Sequence, residues 1–80
     1  MPSLVSISAI ISTNSEHISK SITEIENELR VRVVMIERNS NEGILETIIP
    51  SPSGIIEAND RVYLILNIND IKKVENSLES

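Results

Sequence analysis

Apolar and small polar residues alternate at the start of the chain. Val5, Ile7 and Ala9 fall on one side, and Ser6 and Ser8 on the other. A period of two predicts a half-buried strand over residues 4–11. The polar run Ser12–His17 reads as a loop. The period then changes. Ile22, Ile25 and Leu29 recur at helical spacing, with Glu24, Glu26 and Glu28 turned elsewhere. Ser21 and Glu24 have the S-x-x-E spacing of a capping box, and Glu24 suits the positive end of the helix dipole. Ile18 precedes the cap and is expected to tuck under the helix.

Residues 30–38 begin by alternating and end apolar. Their valines and isoleucine predict a strand, better buried in its second half. Asn39–Gly43 reads as a hairpin turn, and residues 44–49 as the returning strand. Pro50 and Pro52 end that strand, because proline donates no ladder hydrogen bond. Asn59 and Asp60 are read as structural turn residues that lead the chain into residues 61–68. The Asp60 side chain is expected to accept neighbouring backbone N–H groups. Residues 61–68 form the most hydrophobic strand and are expected at the centre of the sheet. Asn69 reads as the N-cap of a closing helix over 70–79, with Ile71, Val74 and Leu78 as its apolar stripe. The order β-α-β-β-β-α predicts an α+β two-layer sandwich. It has a four-stranded, mainly antiparallel sheet with two helices on one face.

The chain has 80 residues and is read as one domain over 1–80. A domain this small is marginally stable alone. With no cysteine, neither disulfides nor a cysteine-rich zinc site can supplement the core. Association is the remaining remedy, so a homodimer is expected. The net charge of −5 repels phosphate backbones, and no nucleic-acid partner is expected. One Tyr with no Phe or Trp offers no platform for stacking bases. No apolar run reaches the length of a bilayer span, so no direct membrane insertion is expected. The absence of cysteine fits a cytoplasmic setting.

Arg30, Arg32 and Arg38 are the cations of interest. On a regularly alternating strand they share parity and face one side. A guanidinium fork binds phosphate or carboxylate through two parallel bonds. The competing use is pairing with Glu42 or Glu46 across the hairpin. His17, the sole histidine, lies beside Glu16 and reads as a solvated loop residue. A metal site wants three or four converging ligands, so none is expected. There is no cysteine nucleophile, no glycine-rich phosphate loop and no Ser-His-Asp elbow. No catalytic residue is assigned, and an enzyme is not expected.

Four segments together resemble the TrkA-C domain, the C-terminal domain of RCK proteins. Ile18–Ile25 resembles the family's helix start, and Val33–Arg38 its aliphatic strand ending in arginine. Ile49–Pro50 with Ile56–Ile65 resembles its turn into the central strand, and Asn69–Leu78 its closing helix. The likeness covers nearly the whole chain. Ser19 and Asn59 stand at positions where the family has glycine. Asn tolerates φ > 0, whereas Ser19 is expected to hold an ordinary backbone.

The resemblance implies a cytoplasmic regulatory domain, at the inner membrane face through a partner, in a potassium transport or channel system. That partner would be a channel or transporter subunit, or the nucleotide-binding domain that usually precedes this one. Arg30, Arg32 and Arg38 are then the expected ligand-binding residues. No cofactor is certain. The resemblance offers a cyclic dinucleotide held across a dimer axis, or another small anionic ligand. Against a phosphate ligand, Glu26 and Glu28 stand at the helix end where arginine would be favoured. The alternative is a ligand-free dimerisation and assembly module that positions a partner protein. An amino-acid sensor of similar form would need a glycine-rich turn that residues 19–21 lack.

Overall fold

The computed structural model describes residues 3–80, so the first two residues of the expected 1–80 domain lie outside it. Seven short elements succeed one another. They are β1 (Leu4–Ile10), α1 (Ile22–Leu29), β2 (Arg32–Asn39), β3 (Leu45–Ile48), β4 (Arg61–Asn67), a 3-10 turn (Ile68–Asp70) and α2 (Ile71–Glu79). The sheet order is β1-β4-β2-β3, and every neighbouring pair is antiparallel. β4 is interior, as its apolar content predicts.

One side of the sheet and the apolar stripes of both helices make a single core. Ala9, Val33, Ile36, Val62, Leu64 and Leu66 come from the strands, Ile22, Ile25 and Leu29 from α1, and Val74 and Leu78 from α2. No element among the described residues covers the other side of the sheet. Ile10, Leu45 and Ile65 stand exposed on it among Ser6, Ser8 and Arg61.

β2 is not a regular strand. Val33 pairs with Leu64 and Met35 with Tyr63, so Val34 has no opposite number. This bulge shifts the phase by one residue. Val33 and Ile36 both point into the core although they differ in parity. The expected common face of Arg30, Arg32 and Arg38 therefore does not exist. Arg30 lies before the strand, as the left-handed C-cap of α1 at φ 56°. Arg32 points away from the core, whereas Arg38 follows Ile36 on the core side at the strand's end.

Three further expectations are corrected. Asn69 does not cap the last helix. The Asn67 side chain caps the 3-10 turn by accepting from the Asn69 N–H at 2.9 Å, and α2 begins after Asp70. Ser19 does not hold an ordinary backbone but sits at φ 71°, where glycine is at ease. His17 is not solvated. It is 1% exposed beneath the loop, with its Nε2 2.5 Å from Ser77 Oγ on α2.

Candidate cleft between the end of α1 and the start of β2

The segment from Pro50 to Gly54 is more than a connection. The first turn of any helix leaves backbone N–H groups without helical partners. Here Ile22 N–H donates to Gly54 O at 2.8 Å and Thr23 N–H to Pro52 O at 3.2 Å. Glu24 N–H donates to Ser21 Oγ at 3.1 Å, and the Glu24 carboxylate accepts from Ser21 N–H, completing the expected capping box. Thr23 Oγ1 adds a 3.0 Å bond to Pro52 O. The proline-rich loop thus closes the start of α1.

The other end of α1 is open. Arg30 takes the left-handed conformation, and its N–H donates back to Glu26 O. The chain turns sharply there and leaves a cleft of about 530 Å3 between α1, the start of β2 and the end of β4. Asn27, Arg30, Arg32, Ile65, Asn67 and Asp70 are among the residues around it. A smaller hollow of about 160 Å3, bounded by Pro50 and Ser51, shares Glu26 and Arg32 with it. Arg32 therefore stands between two depressions.

The two arginines of the cleft are lightly engaged. Among the described residues Arg30 has no ion-pair or hydrogen-bond partner for its guanidinium. Arg32 is 77% exposed, and among the described residues its one ion-pair partner is Glu26, at 3.7 Å. Glu26 is partly committed elsewhere, because its Oε2 accepts the Val33 N–H at 3.0 Å. An anion entering the cleft meets two guanidinium groups, with the Glu26 and Asp70 carboxylates nearby. Two arginines favour it and two carboxylates oppose it, so orientation decides the balance.

Arg38 is set apart from this cleft. Its Nε and Nη2 bind the Asp60 carboxylate at 2.9 and 2.8 Å, Nη2 also reaches Ile55 O at 3.2 Å, and Nη1 pairs with Glu57 at 2.9 Å. The hydrogen bond to Asp60 pushes the Arg38 pKa further up, so this guanidinium is permanently charged. Asp60 is buried and also accepts the Glu57 N–H at 2.9 Å. Neither Glu42 nor Glu46 takes the role of principal partner, although Glu46 lies opposite Arg38 in the hairpin. Asn59 sits beside this pair at φ 70° and donates its N–H to Ile11 O at 2.8 Å.

The expected arginines are thus divided, with Arg30 and Arg32 at the cleft and Arg38 in a closed ion pair. Sequence reasoning does not single out Asn27, Asn67 or Asp70. Asn67 and Asp70 are about forty positions from Arg30, and only the pairing of β4 with β2 brings them together. Among the described residues no group of three or more His, Asp or Glu is placed to hold a metal ion. No helix among them is long and apolar enough to cross a membrane.

The TrkA-C domain model matches residues 7–79. No curated protein matches the sequence. Among solved structures, the RCK_C domain dimer of S. agalactiae BusR in complex with c-di-AMP is 27% identical with a TM-score of 0.72. The match covers 92% of this chain and 89% of that one. S. agalactiae BusR in complex with its busAB-promotor DNA is 27% identical with a TM-score of 0.71, covering 90% of this chain and 34% of that one. The chain therefore spans about a third of that longer protein. The GsuK RCK domain, 18% identical with a TM-score of 0.67, covers 92% of this chain and 16% of that one and supports the fold alone.

Two expectations are overturned by these matches. The potassium transport or channel role falls, because the chain is 26–27% identical to structures of BusR bound to c-di-AMP or to promoter DNA. The exclusion of a nucleic-acid partner falls on the same complexes with DNA. It rested on the charge of this chain alone, and a domain's own charge does not determine what the rest of an assembly touches. A cyclic dinucleotide, the ligand class that the family resemblance offers, is the ligand documented for the BusR domain.

Proposed function

The chain belongs to the TrkA-C domain family, and from that premise we propose that it is the dimerising, ligand-sensing module of a transcription-regulator assembly. The observation that carries this reading is the likeness to the c-di-AMP-bound BusR domain dimer over nearly the full length of both chains. Residues 1–80 form one non-catalytic module, and the assembly works in the cytoplasm. The ligand is a cyclic dinucleotide, and its phosphates meet Arg30 and Arg32 in the open cleft. With a net charge of −5, this module acts on promoter binding by setting the arrangement of the assembly, while basic segments outside it meet the phosphate backbone. The coupling is thermodynamic: a ligand that prefers one arrangement of the two subunits raises its population.

Calorimetric titration with c-di-AMP, c-di-GMP and ATP tests the reading. Binding of c-di-AMP that weakens at least about tenfold in Arg32→Ala, roughly 1.4 kcal/mol, supports it. Arg30→Ala is expected to act in the same direction. The Arg38 ion pair and the two carboxylates at the cleft favour a second reading, a ligand-free assembly module that positions a partner protein. That reading is the one supported if no nucleotide binds while the melting temperature rises with protein concentration.

A further inference from the structure

We propose that Glu26 is the specificity residue of the cleft: its fixed carboxylate admits the singly charged phosphodiester of a cyclic dinucleotide and penalises the doubly charged phosphomonoester of a linear one. The inference deepens the ligand reading above and rests on it. A carboxylate in an anion site needs a reason, because like charges repel. Glu26 borders both hollows and stands beside Arg32, the arginine between them.

Glu26 has two uses in the fold. Its backbone oxygen accepts the N–H of Arg30 and, at 3.3 Å, that of Val31. Its side-chain Oε2 accepts the Val33 N–H at 3.0 Å. Glu26 thereby ties the end of α1 to the start of β2 through the turn that carries both arginines. Neither use requires a charge, since a glutamine oxygen accepts the same Val33 N–H. The negative charge is surplus to the turn, and it acts on whatever occupies the cleft.

The carboxylate is also fixed in place. It is 24% exposed and held by the β2 backbone, whereas Arg32 beside it is 77% exposed. Arg32 Nε lies 3.7 Å from Glu26 Oε2, so a phosphate that binds this guanidinium comes close to the carboxylate. Asp70 borders the cleft too, but among the described residues it pairs with neither arginine. Arg30 and Arg32 set against Glu26 leave one net positive charge. A phosphodiester carries one negative charge and matches it. A phosphomonoester carries nearly two once its second proton is lost, and the excess faces Glu26. Repulsion between unit charges about 4 Å apart in water corresponds to about fivefold in affinity.

Calorimetric titration of wild type and Glu26→Gln with c-di-AMP and with linear pApA tests this. In pApA a terminal phosphomonoester replaces one of the two phosphodiesters, and at about pH 8 it is doubly ionised. Glu26→Gln is expected to tighten both nucleotides and to narrow the preference for c-di-AMP over pApA about fivefold. Its far-ultraviolet spectrum is expected to be unchanged, because the glutamine oxygen takes over the Val33 N–H. The difference in shape between ring and linear chain cancels in the ratio, and a residue that served only the turn would leave that ratio unmoved. Wild-type binding of c-di-AMP with an unchanged or wider preference in Glu26→Gln overturns the assignment and leaves ligand sensing intact. Failure of both proteins to bind either nucleotide overturns both.

Discussion

Arg38 and Asp60, 22 positions apart, meet edge to edge, with two parallel N–H···O bonds of 2.9 and 2.8 Å. The pair fastens the end of β2 to the turn that enters β4. The arginine is 24% exposed and the aspartate 1%. Its value lies in the cost of breaking it, since one partner left alone is a buried charge without compensation.

Arg38→Ala is therefore expected to destabilise the domain by about 3–5 kcal/mol. That is a large share of the roughly 5–15 kcal/mol typical of a folded domain. The double replacement Arg38→Met with Asp60→Leu is expected to lose less than Arg38→Ala alone. Urea unfolding of the three proteins decides it. A loss below about 1 kcal/mol in Arg38→Ala would mean that the pair is dispensable.

Ser19 and Asn59 hold left-handed backbone conformations without being glycine. The strain is larger for serine, because asparagine visits this region more readily. Ser19→Gly is expected to raise stability by up to about 1 kcal/mol, and Asn59→Gly by less. Thermal melts of the two variants, compared side by side, give the ranking. A lower melting temperature for Ser19→Gly would contradict it.

Tyr63 Oη donates to Glu37 Oε1 at 2.5 Å. That hydrogen bond, with burial second, holds the phenol above its ordinary pKa of 10.0. A group whose pKa is raised on folding contributes stability below its unfolded pKa, and the contribution fades as pH rises through the folded value. The bond should therefore help across neutral pH and be lost in strong alkali. Tyr63 is the only tyrosine and there is no tryptophan, so tyrosinate absorbance reports this group alone. Its midpoint is expected to fall toward the ordinary value in Glu37→Gln.

His17 fills a buried position with Ser77 Oγ at Nε2 and the Glu28 carboxylate 3.6 Å from Nδ1. His17→Ala removes a core side chain and is expected to cost about 2–4 kcal/mol. A solvated loop histidine would cost within about 0.5 kcal/mol. Chemical denaturation separates the two.

The order of elements is legible in the sequence because each carries its period or its punctuation. The alternation of Ser6 and Ser8 with Val5, Ile7 and Ala9 marks β1, the capping box marks α1, and the prolines end β3. The family is legible from the same segments. The cleft is less so. Arg32 reads as a cation on β2, but its separation from Arg38 depends on a bulge that no sequence signal announces. The burial of His17 is hidden for a different reason. A polar loop reads as solvated until α2, sixty positions later, supplies the serine that covers it. The potassium assignment came from family likeness, which carries a fold more reliably than it carries a function.

β2 holds one residue more than its partner strand needs. Val34 sits in the bulge, half exposed and opposite nothing. Excising it would bring Val33 next to Met35, with Val33 and Ile36 still inward and Arg32, Met35 and Glu37 still outward. Excising Glu37 instead would turn Arg38 over and strand Asp60 without its partner. The strand thus has one site where the chain can be shortened without turning over the residues beyond it, and frame-preserving deletions along the gene are expected to be tolerated there ahead of its neighbours.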